Sequence, residues 1–168
     1  MSGFPSLQPA FTLQVKIEPA ASVGSASQQC GLLITPMVGG TVRSEPGFSP
    51  AFNGEFTGTG NDYIHVDPDG KRFRLNAHGL IRTDDGALVY LLYTGIVNVT
   101  PELNAIMSGQ SESAVTPFGD AFTHLTFKTG DERYTFLESG VFVAAGHFIY
   151  EKGQLPIVEY KVSKVCKG

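Results

Sequence analysis

Five polar residues of types that support acid–base chemistry lie within a short stretch of the chain: Asp62, Asn76, His78, Arg82 and Tyr93. A carboxyl or an imidazole can donate or accept a proton near neutral pH when partial burial shifts its pKa and neighbouring groups hold it in place. All five residues fall on two successive predicted β-hairpins. Whether they form a site therefore depends on how the hairpin strands pair.

The first predicted hairpin spans residues 63–75 and reads YIHV-DPDG-KRFRL, in which a proline followed two residues later by a glycine is a turn signal. A three-residue loop here would pair Asp67 with Lys71. Counting back along both strands then places Asp62 opposite Asn76.

The second predicted hairpin spans residues 80–93 and reads LIRT-DDG-ALVYLLY. Its Asp-Gly pair at positions 85 and 86 predicts a two-residue turn with both residues at positive φ, which would pair Asp84 with Ala87. Counting back places His78 opposite Tyr93. The two registers together put all five polar side chains on one face, within ~10 Å of one another. The opposite face would carry Phe73, Leu75, Ala77, Gly79, Ile81, Leu88, Tyr90, Leu92 and Ile96.

This polar face has two interpretations. It is either the solvated outside of a sheet or a catalytic surface that points into the protein. A change of register by one residue would regroup every side chain, so spacing alone leaves both interpretations open.

Alternation of apolar and polar residues predicts an all-β fold. In FTLQVKI, residues 11–17, every second residue is apolar, which is the pattern of a half-buried strand. Thr100 followed by Pro101 predicts one short helix. About eight to ten strands predict an antiparallel, lipocalin-like β-barrel that forms a single domain over residues 1–168. The other expected strands include residues 32–42, 88–97, 122–129, 134–137, 141–148 and 156–165.

Composition excludes several classes of function. The 168 residues are 42% hydrophobic and 17% charged, a composition that argues against a disordered chain. The 12 Lys and Arg are outnumbered by 16 Asp and Glu, so the chain lacks the excess of basic residues that binding to nucleic acid needs. The N-terminus has no signal-peptide pattern, so we expect a cytoplasmic location. The longest apolar run, residues 87–93, is far shorter than the ~18 residues needed to span a bilayer, so we expect no membrane partner. The histidines lack ligand spacing and no glycine-rich loop precedes a helix, so we expect no metal and no cofactor.

Several ordered motifs resemble a known family. They are GGT at 39–41, GNDY at 60–63, LNAHG at 75–79, RTDDGA at 82–87, FKTGD at 127–131 and YTFL at 134–137. In this order, over about residues 10–165, they resemble the domain-of-unknown-function 3237 (DUF3237) family of small β-barrel proteins from bacteria and fungi.

Some residues depart from the family pattern. Asn76 and His78 stand where the family usually has Asp and Arg, Tyr63 replaces a Trp, and Phe122 stands at a family Arg. Asp62 is retained. The resemblance therefore implies a less charged, more aromatic site that suits an aromatic substrate, and it favours the interior for the polar face.

The resemblance to fungal members implies a cofactor-independent enzyme of secondary metabolism. The implied reaction is an intramolecular hydroalkoxylation, in which a phenol oxygen adds to the prenyl alkene of a prenylated aromatic polyketide. This reaction needs a proton donor, a group that accepts the phenol proton and dry aromatic walls.

The hypothesis assigns catalysis to Asp62 as proton donor, His78 as acceptor of the phenol proton and Tyr93 as an orienting group, although Asp62 and His78 could exchange roles. The substrate-binding residues would be Tyr63, Asn76, Arg82, Tyr90 and Phe122. Two alternatives stay open: a non-catalytic protein that binds a hydrophobic small molecule, and a hydrolase or isomerase with the same acid–base pair. The long nonpolar strand at 88–97 is also consistent with a homo-oligomer.

Overall fold

The computed structural model describes residues 3–168, which form a β-barrel with two short α-helices. The helices are α1 (Pro101–Met107) and α2 (Thr135–Glu138), and a 3₁₀ turn at Glu132–Tyr134 precedes α2. The strands are β1 (Ser6–Ile17), β2 (Ala21–Ser22), β3 (Gly31–Ser44), β4 (Gly54–Val66), β5 (Arg72–Thr83), β6 (Leu88–Asn98), β7 (Ser113–Val115), β8 (Ala121–Thr129), β9 (Phe142–Glu151) and β10 (Ile157–Cys166).

The sheet closes on itself. Its order is β1-β10-β9-β8-β6-β5-β4-β3, and β3 pairs back with β1 from Phe11 opposite Ser44 to Ile17 opposite Met37. The short strands β2 and β7 add to this barrel by pairing with β3 and β9. All pairings are antiparallel, so the predicted antiparallel barrel is confirmed.

Strict alternation in the sequence explains why the strands curl around one core. In β8, Ala121, Thr123, Leu125 and Phe127 are buried, and the side chains between them are exposed. Successive residues of a strand point to opposite faces, so each strand contributes one apolar face to the interior. The core of the protein is the inside of the barrel.

One end of the barrel, which carries the loop of residues 45–53 and the β5–β6 turn, is filled by aromatic rings. Phe11 packs against Phe48, Phe52, Phe127 and Phe142 at centroid distances of 5.3 to 6.1 Å. All five rings are buried. We call this region the packed end.

The opposite end carries the β4–β5 and β9–β10 turns and the connection of residues 99–120 that contains α1. The hydroxyl of Thr100 caps α1 by accepting a hydrogen bond from the Leu103 amide at 3.2 Å, and Pro101 occupies the first turn. Leu103 and Ile106 are both buried, so α1 covers the barrel opening. The predicted helix is confirmed, and we call this region the cavity end.

The strand predicted at residues 134–137 is wrong, because this segment forms the end of the 3₁₀ turn and α2. The Asp131 carboxylate accepts a hydrogen bond from the Arg133 amide at 3.0 Å and caps the turn. Tyr134 and Leu137 are three residues apart and are both buried, which is helical spacing.

The predicted register of the first hairpin is wrong by one residue. The Asp67 amide donates to the Arg72 carbonyl at 3.0 Å, so the loop holds four residues, 68–71, instead of three. Asp62 therefore pairs with Ala77 and not with Asn76.

The second hairpin is also shifted by one residue. The Thr83 amide donates to the Ala87 carbonyl at 2.9 Å, and the Thr83 hydroxyl accepts a hydrogen bond from the Ala87 amide at 2.8 Å. The turn thus has three residues, of which Gly86 alone is left-handed, with φ of 93°. His78 consequently pairs with Leu92, and Tyr93 pairs with Ala77.

Candidate active site

The corrected registers divide the predicted polar face between the two sides of the barrel wall. Asp62 and Tyr93 are buried and line an interior cavity, with exposed fractions of 6% and 3%. Asn76 and Arg82 are exposed and His78 is half-buried on the outer surface. The prediction that these five side chains share one face is therefore wrong.

The interior cavity lies at the cavity end and has a volume of about 30 Å³. Its polar groups come from four strands: Thr35 on β3, Asp62 on β4, Tyr93 on β6 and Tyr160 on β10. The other lining side chains are apolar: Ile17, Ile64, Phe73, Leu75, Val97, Met107, Phe148 and Val158. Among these described residues none is Lys, Arg or His, so the cavity holds no counter-charge for an anion.

Asp62 is the one acidic group in this lining. Its Oδ1 accepts a hydrogen bond from the backbone amide of Asn76 at 2.9 Å. Burial raises the pKa of Asp62 from its usual 3.8 to about 7, and the amide hydrogen bond opposes part of that rise. At neutral pH this carboxyl is present in both its protonated and its ionised form.

Two tyrosines stand beside Asp62. The rings of Tyr93 and Tyr160 lie 5.4 Å apart, and the Tyr93 hydroxyl donates to Met37 Sδ at 3.6 Å. Burial raises the pKa of both phenols above the usual value of 10, and the charge of Asp62 raises it further. Both side chains therefore stay protonated and offer hydroxyl groups and aromatic faces.

Thr35 completes the polar part of the cavity. It is 1% exposed and is the register partner of Asp62 across the β3–β4 pairing. Its Oγ1 has no hydrogen-bond partner within residues 3–168. Thr35 and Tyr160 were not predicted as site residues. β3 joins β4 through a nine-residue loop, β10 joins β9 through a five-residue connection, and the other partner of β10 is β1 at the far end of the chain, so no tight turn fixes either register.

The outward-facing residues form a cluster of their own around His78. The Tyr90 hydroxyl and His78 Nδ1 lie 2.5 Å apart, and His78 Nε2 and Asn76 Oδ1 lie 3.1 Å apart. Tyr63 presents its ring to His78 at a centroid distance of 6.0 Å. This cluster lies on the other side of the wall from Asp62, so His78 is not positioned to take a proton inside the cavity.

Phe122, also predicted to bind substrate, is 58% exposed on the outside of β8. It lines an open groove of about 940 Å³ together with Ile96, His124 and Lys161. The groove is larger than the interior cavity, but the aromatic and charged groups in it face solvent. It does not provide the desolvation that acid catalysis at neutral pH needs.

Within the described part of the chain, no group of three or more His, Cys, Asp or Glu side chains could hold a metal ion. No helix in residues 3–168 has the length and apolar character needed to cross a bilayer.

The family model described as "Protein of unknown function (DUF3237)" matches residues 5–165. The chain belongs to the DUF3237 family. A UPF0311 protein of Clostridium acetobutylicum is 29% identical to this DUF3237 member over 155 residues, or 91% of each chain.

Solved structures share the fold. A conserved protein of unknown function from Rhodopseudomonas palustris is 24% identical, with a TM-score of 0.76 over 96% of this chain and 98% of its own. A β-barrel-like protein from Acinetobacter baumannii AYE is 24% identical, with a TM-score of 0.72 over 96% of both chains. A structure described as an enzyme from Penicillium herquei is 18% identical, with a TM-score of 0.62 over 96% of this chain and 94% of its own.

Proposed function

We propose that this DUF3237 protein is a cofactor-independent enzyme in which Asp62 acts as general acid on a neutral, hydrophobic substrate. The observation that carries the proposal is a carboxyl buried in an aromatic-walled cavity without a cationic neighbour in its lining, where burial raises its pKa to about 7. The similarity to the Penicillium herquei protein described as an enzyme is compatible with this proposal.

The proposed reaction is the ring closure of a prenylated phenol, such as a prenylated aromatic polyketide of secondary metabolism. The Asp62 proton is transferred to the alkene, where it forms a C–H bond and leaves a carbocation at the other alkene carbon. A lone pair of the phenol oxygen then forms the C–O bond. The phenol proton passes to the Asp62 carboxylate, so the acid is regenerated and the product is an isomer of the substrate.

The walls of the cavity suit the carbocation in this step. Phe73, Tyr93, Phe148 and Tyr160 contribute aromatic side chains to the cavity that Asp62 lines. The negative face of an aromatic ring attracts a cation, and this attraction is stronger in a desolvated site. Since the cavity lining has no Lys or Arg, nothing there opposes a developing positive charge.

The outward position of His78 supports a different base in this proposal. His78 lies on the outer surface, so Asp62, after giving up its proton, is itself the group that accepts the phenol proton. Tyr93 and Tyr160 remain protonated and act as walls and hydrogen-bond donors. One carboxyl thus serves as acid and then as base, for which a pKa near the working pH is well suited.

A substrate of the proposed class can enter this small cavity only if the cavity end opens. A volume of about 30 Å³ holds about one water molecule, whereas ligand sites usually measure ~300–1,000 Å³. Met107, the last residue of α1, lines the cavity, and the seven-residue helix is held mainly by Leu103 and Ile106. We propose that the aromatic body of the substrate enters by displacing Met107, whose flexible side chain adapts easily.

Asp62→Asn is the direct test, and we expect it to lower activity more than any other single substitution in the cavity lining. Because amide nitrogen cannot protonate the alkene, conversion of 2-prenylphenol should fall by about 10²–10⁴-fold. Asp84→Asn, an exposed acidic residue in the β5–β6 turn, is the matched control and should retain activity. Product is measured as a species of unchanged mass and altered chromatographic retention. Equal turnover by Asp62→Asn and the wild type would eliminate the proposal.

A non-catalytic binding protein is the second candidate, and the mainly apolar cavity lining favours it. It predicts that 2-prenylphenol binds without conversion and that Asp62→Asn binds it as well as the wild type. A hydrolase with the same carboxyl would instead give a product whose mass differs from that of its substrate. Mass and chromatographic retention measured together therefore separate all three functions: ring closure changes retention alone, hydrolysis changes both, and binding changes neither.

A further inference from the structure

We infer that Thr35 is a positioning residue, whose hydroxyl binds the oxygen of a neutral phenol or alcohol and holds it beside the Asp62 carboxyl. This inference rests on the proposed function, because it names the substrate group that the Asp62 cavity recognises. The inference also divides the cavity into two parts. Residues of β3 and β4 form the part that binds the ligand oxygen, and the apolar part ends at Met107 of α1.

The pairing of β3 with β4 places the two side chains together. Thr35 lies directly opposite Asp62 in the register, and both line the cavity. Directly opposite residues of an antiparallel pair have Cβ atoms ~4.5–5.5 Å apart. One ligand oxygen can therefore contact the hydroxyl and the carboxyl at the same time.

The bonding of the hydroxyl separates Thr35 from two buried threonines with structural roles. Thr123 on β8 also lacks a partner for its hydroxyl among the described residues, but it does not line the cavity. Thr116 is 8% exposed, and its Oγ1 accepts a hydrogen bond from the Phe148 amide at 2.9 Å. Thr83 is 3% exposed, and its hydroxyl bonds to Asp85 and Ala87. Thr35 is buried as deeply, yet nothing in residues 3–168 bonds to its Oγ1. A buried hydroxyl without a partner destabilises a fold, whereas a valine of the same shape would not.

The charges of the cavity define the class of ligand. A carboxylate or phosphate would meet the acidic Asp62 with no Lys, Arg or His in the described lining, so anions are disfavoured. A phenol or alcohol is neutral, and its hydroxyl both donates and accepts a hydrogen bond. It can accept from one of Thr35 and Asp62 and donate to the other, which satisfies the Thr35 hydroxyl.

The test compares phenol with toluene, which replaces the hydroxyl by a methyl group of similar size. Binding is titrated by NMR in the wild type and in Met107→Ala, which widens the apolar part of the cavity without altering β3 or β4. We expect phenol to bind at least fivefold more tightly than toluene in at least one of these two proteins. Thr35→Val should abolish this preference, and Thr35→Ser, which keeps the hydroxyl, should retain it.

Several outcomes would overturn the inference. Phenol could fail to bind both the wild type and Met107→Ala, or Thr35→Val could keep the wild-type preference for phenol. Benzylamine could also bind more tightly than phenol, which would identify the cavity as a cation site. The hydroxyl would be structural if Thr35→Val lowered the melting temperature, Thr35→Ser kept the wild-type value, and the preference for phenol stayed intact in both variants. That result would also overturn the inference. If Thr35→Val does not fold, Thr35→Ala replaces it. The inference then predicts that Thr35→Ser keeps the preference for phenol and that Thr35→Ala loses it, and any other result overturns the inference.

Kinetics separate this inference from the proposed function. With 2-prenylphenol, Thr35→Val should raise KM at least fivefold with a smaller change in kcat, whereas Asp62→Asn should lower kcat. If Asp62→Asn stops turnover but Thr35→Val keeps its preference for phenol, the enzyme proposal survives and the Thr35 inference fails. If Thr35→Val loses that preference while no protein converts 2-prenylphenol, the oxygen site survives and the enzyme proposal fails.

Discussion

The two ends of the barrel interior use aromatic residues in different ways. At the packed end, the rings of Phe11, Phe52 and Phe127 contact one another at 5.3 to 6.0 Å, with interplanar angles of 74° to 85°. At the cavity end, Tyr93 and Tyr160 pack around a carboxyl and a hydroxyl and leave a space of about 30 Å³. The comparison indicates that the packed end provides the stability that offsets the cost of holding polar groups away from water at the cavity end.

Removal of a ring from the packed end should have the largest effect on stability. Phe52 is fully buried, so Phe52→Ala should lower the free energy of unfolding by ~3–5 kcal/mol, through lost apolar burial and the cavity left behind. The activity per folded molecule should be unchanged. Urea unfolding measures the first quantity, and turnover corrected for the folded fraction measures the second. A selective loss of turnover would show that the two ends are not independent.

The pH dependence of stability probes the cavity end. Folded Asp62 keeps its proton up to pH about 7, whereas the unfolded chain loses it near pH 3.8. Between these values the folded state binds more protons at Asp62, so the contribution of Asp62 to the free energy of unfolding falls as pH rises from about 4 to about 7 and is constant above that. A rise of the Asp62 pKa from 3.8 to about 7 corresponds to a loss of stability of at most ~4 kcal/mol.

The measurement is the difference in unfolding free energy between the wild type and Asp62→Asn across this pH range. Taking the difference removes contributions from the other acids, among them Asp131, whose hydrogen bonds with Arg133 lower its pKa to about 2. Asp62→Asn should gain stability relative to the wild type as pH rises. A difference that stays flat from pH 4 to pH 8 would mean that Asp62 titrates like a solvated carboxyl.

Met107→Ala should have the smallest effect on stability of the three substitutions. It should also make entry of the substrate into the cavity easier. Met107 is only partly buried, so its truncation should cost less than ~2 kcal/mol, well below the cost of Phe52→Ala. Because the substrate body takes the place of the Met107 side chain, KM for 2-prenylphenol should fall several-fold. An unchanged or higher KM, measured by steady-state kinetics, would argue against entry at the cavity end.

The fold could be predicted from the sequence because its signals are local. The apolar alternation of residues 11–17 and the Thr100-Pro101 pair each depend on neighbouring residues, and both predictions are confirmed. The helical segment at residues 134–137 is an exception, because it is too short for periodicity to distinguish a helix from a strand.

The site could be predicted only in part, because it depends on register. Each hairpin closes one residue away from the expected position, through hydrogen bonds such as that between the Thr83 hydroxyl and the Ala87 amide. This one-residue difference places Asn76 and His78 on the outer surface, away from Asp62. Asp62 and Tyr93 are predicted site residues that do line the cavity. Thr35 lies opposite Asp62 through the β3–β4 pairing, whose nine-residue loop gives no register signal in the sequence.

Asn76 connects the two sides of the wall, since its amide bonds to Asp62 and its side chain bonds to His78. The bond that lowers the pKa of the interior acid is therefore supplied by the main chain and is independent of the side chain at position 76. Every amino acid except proline carries that N–H group. The outer surface at this position is consequently free to diversify during evolution, for instance to fit a different neighbour, without retuning the chemistry inside.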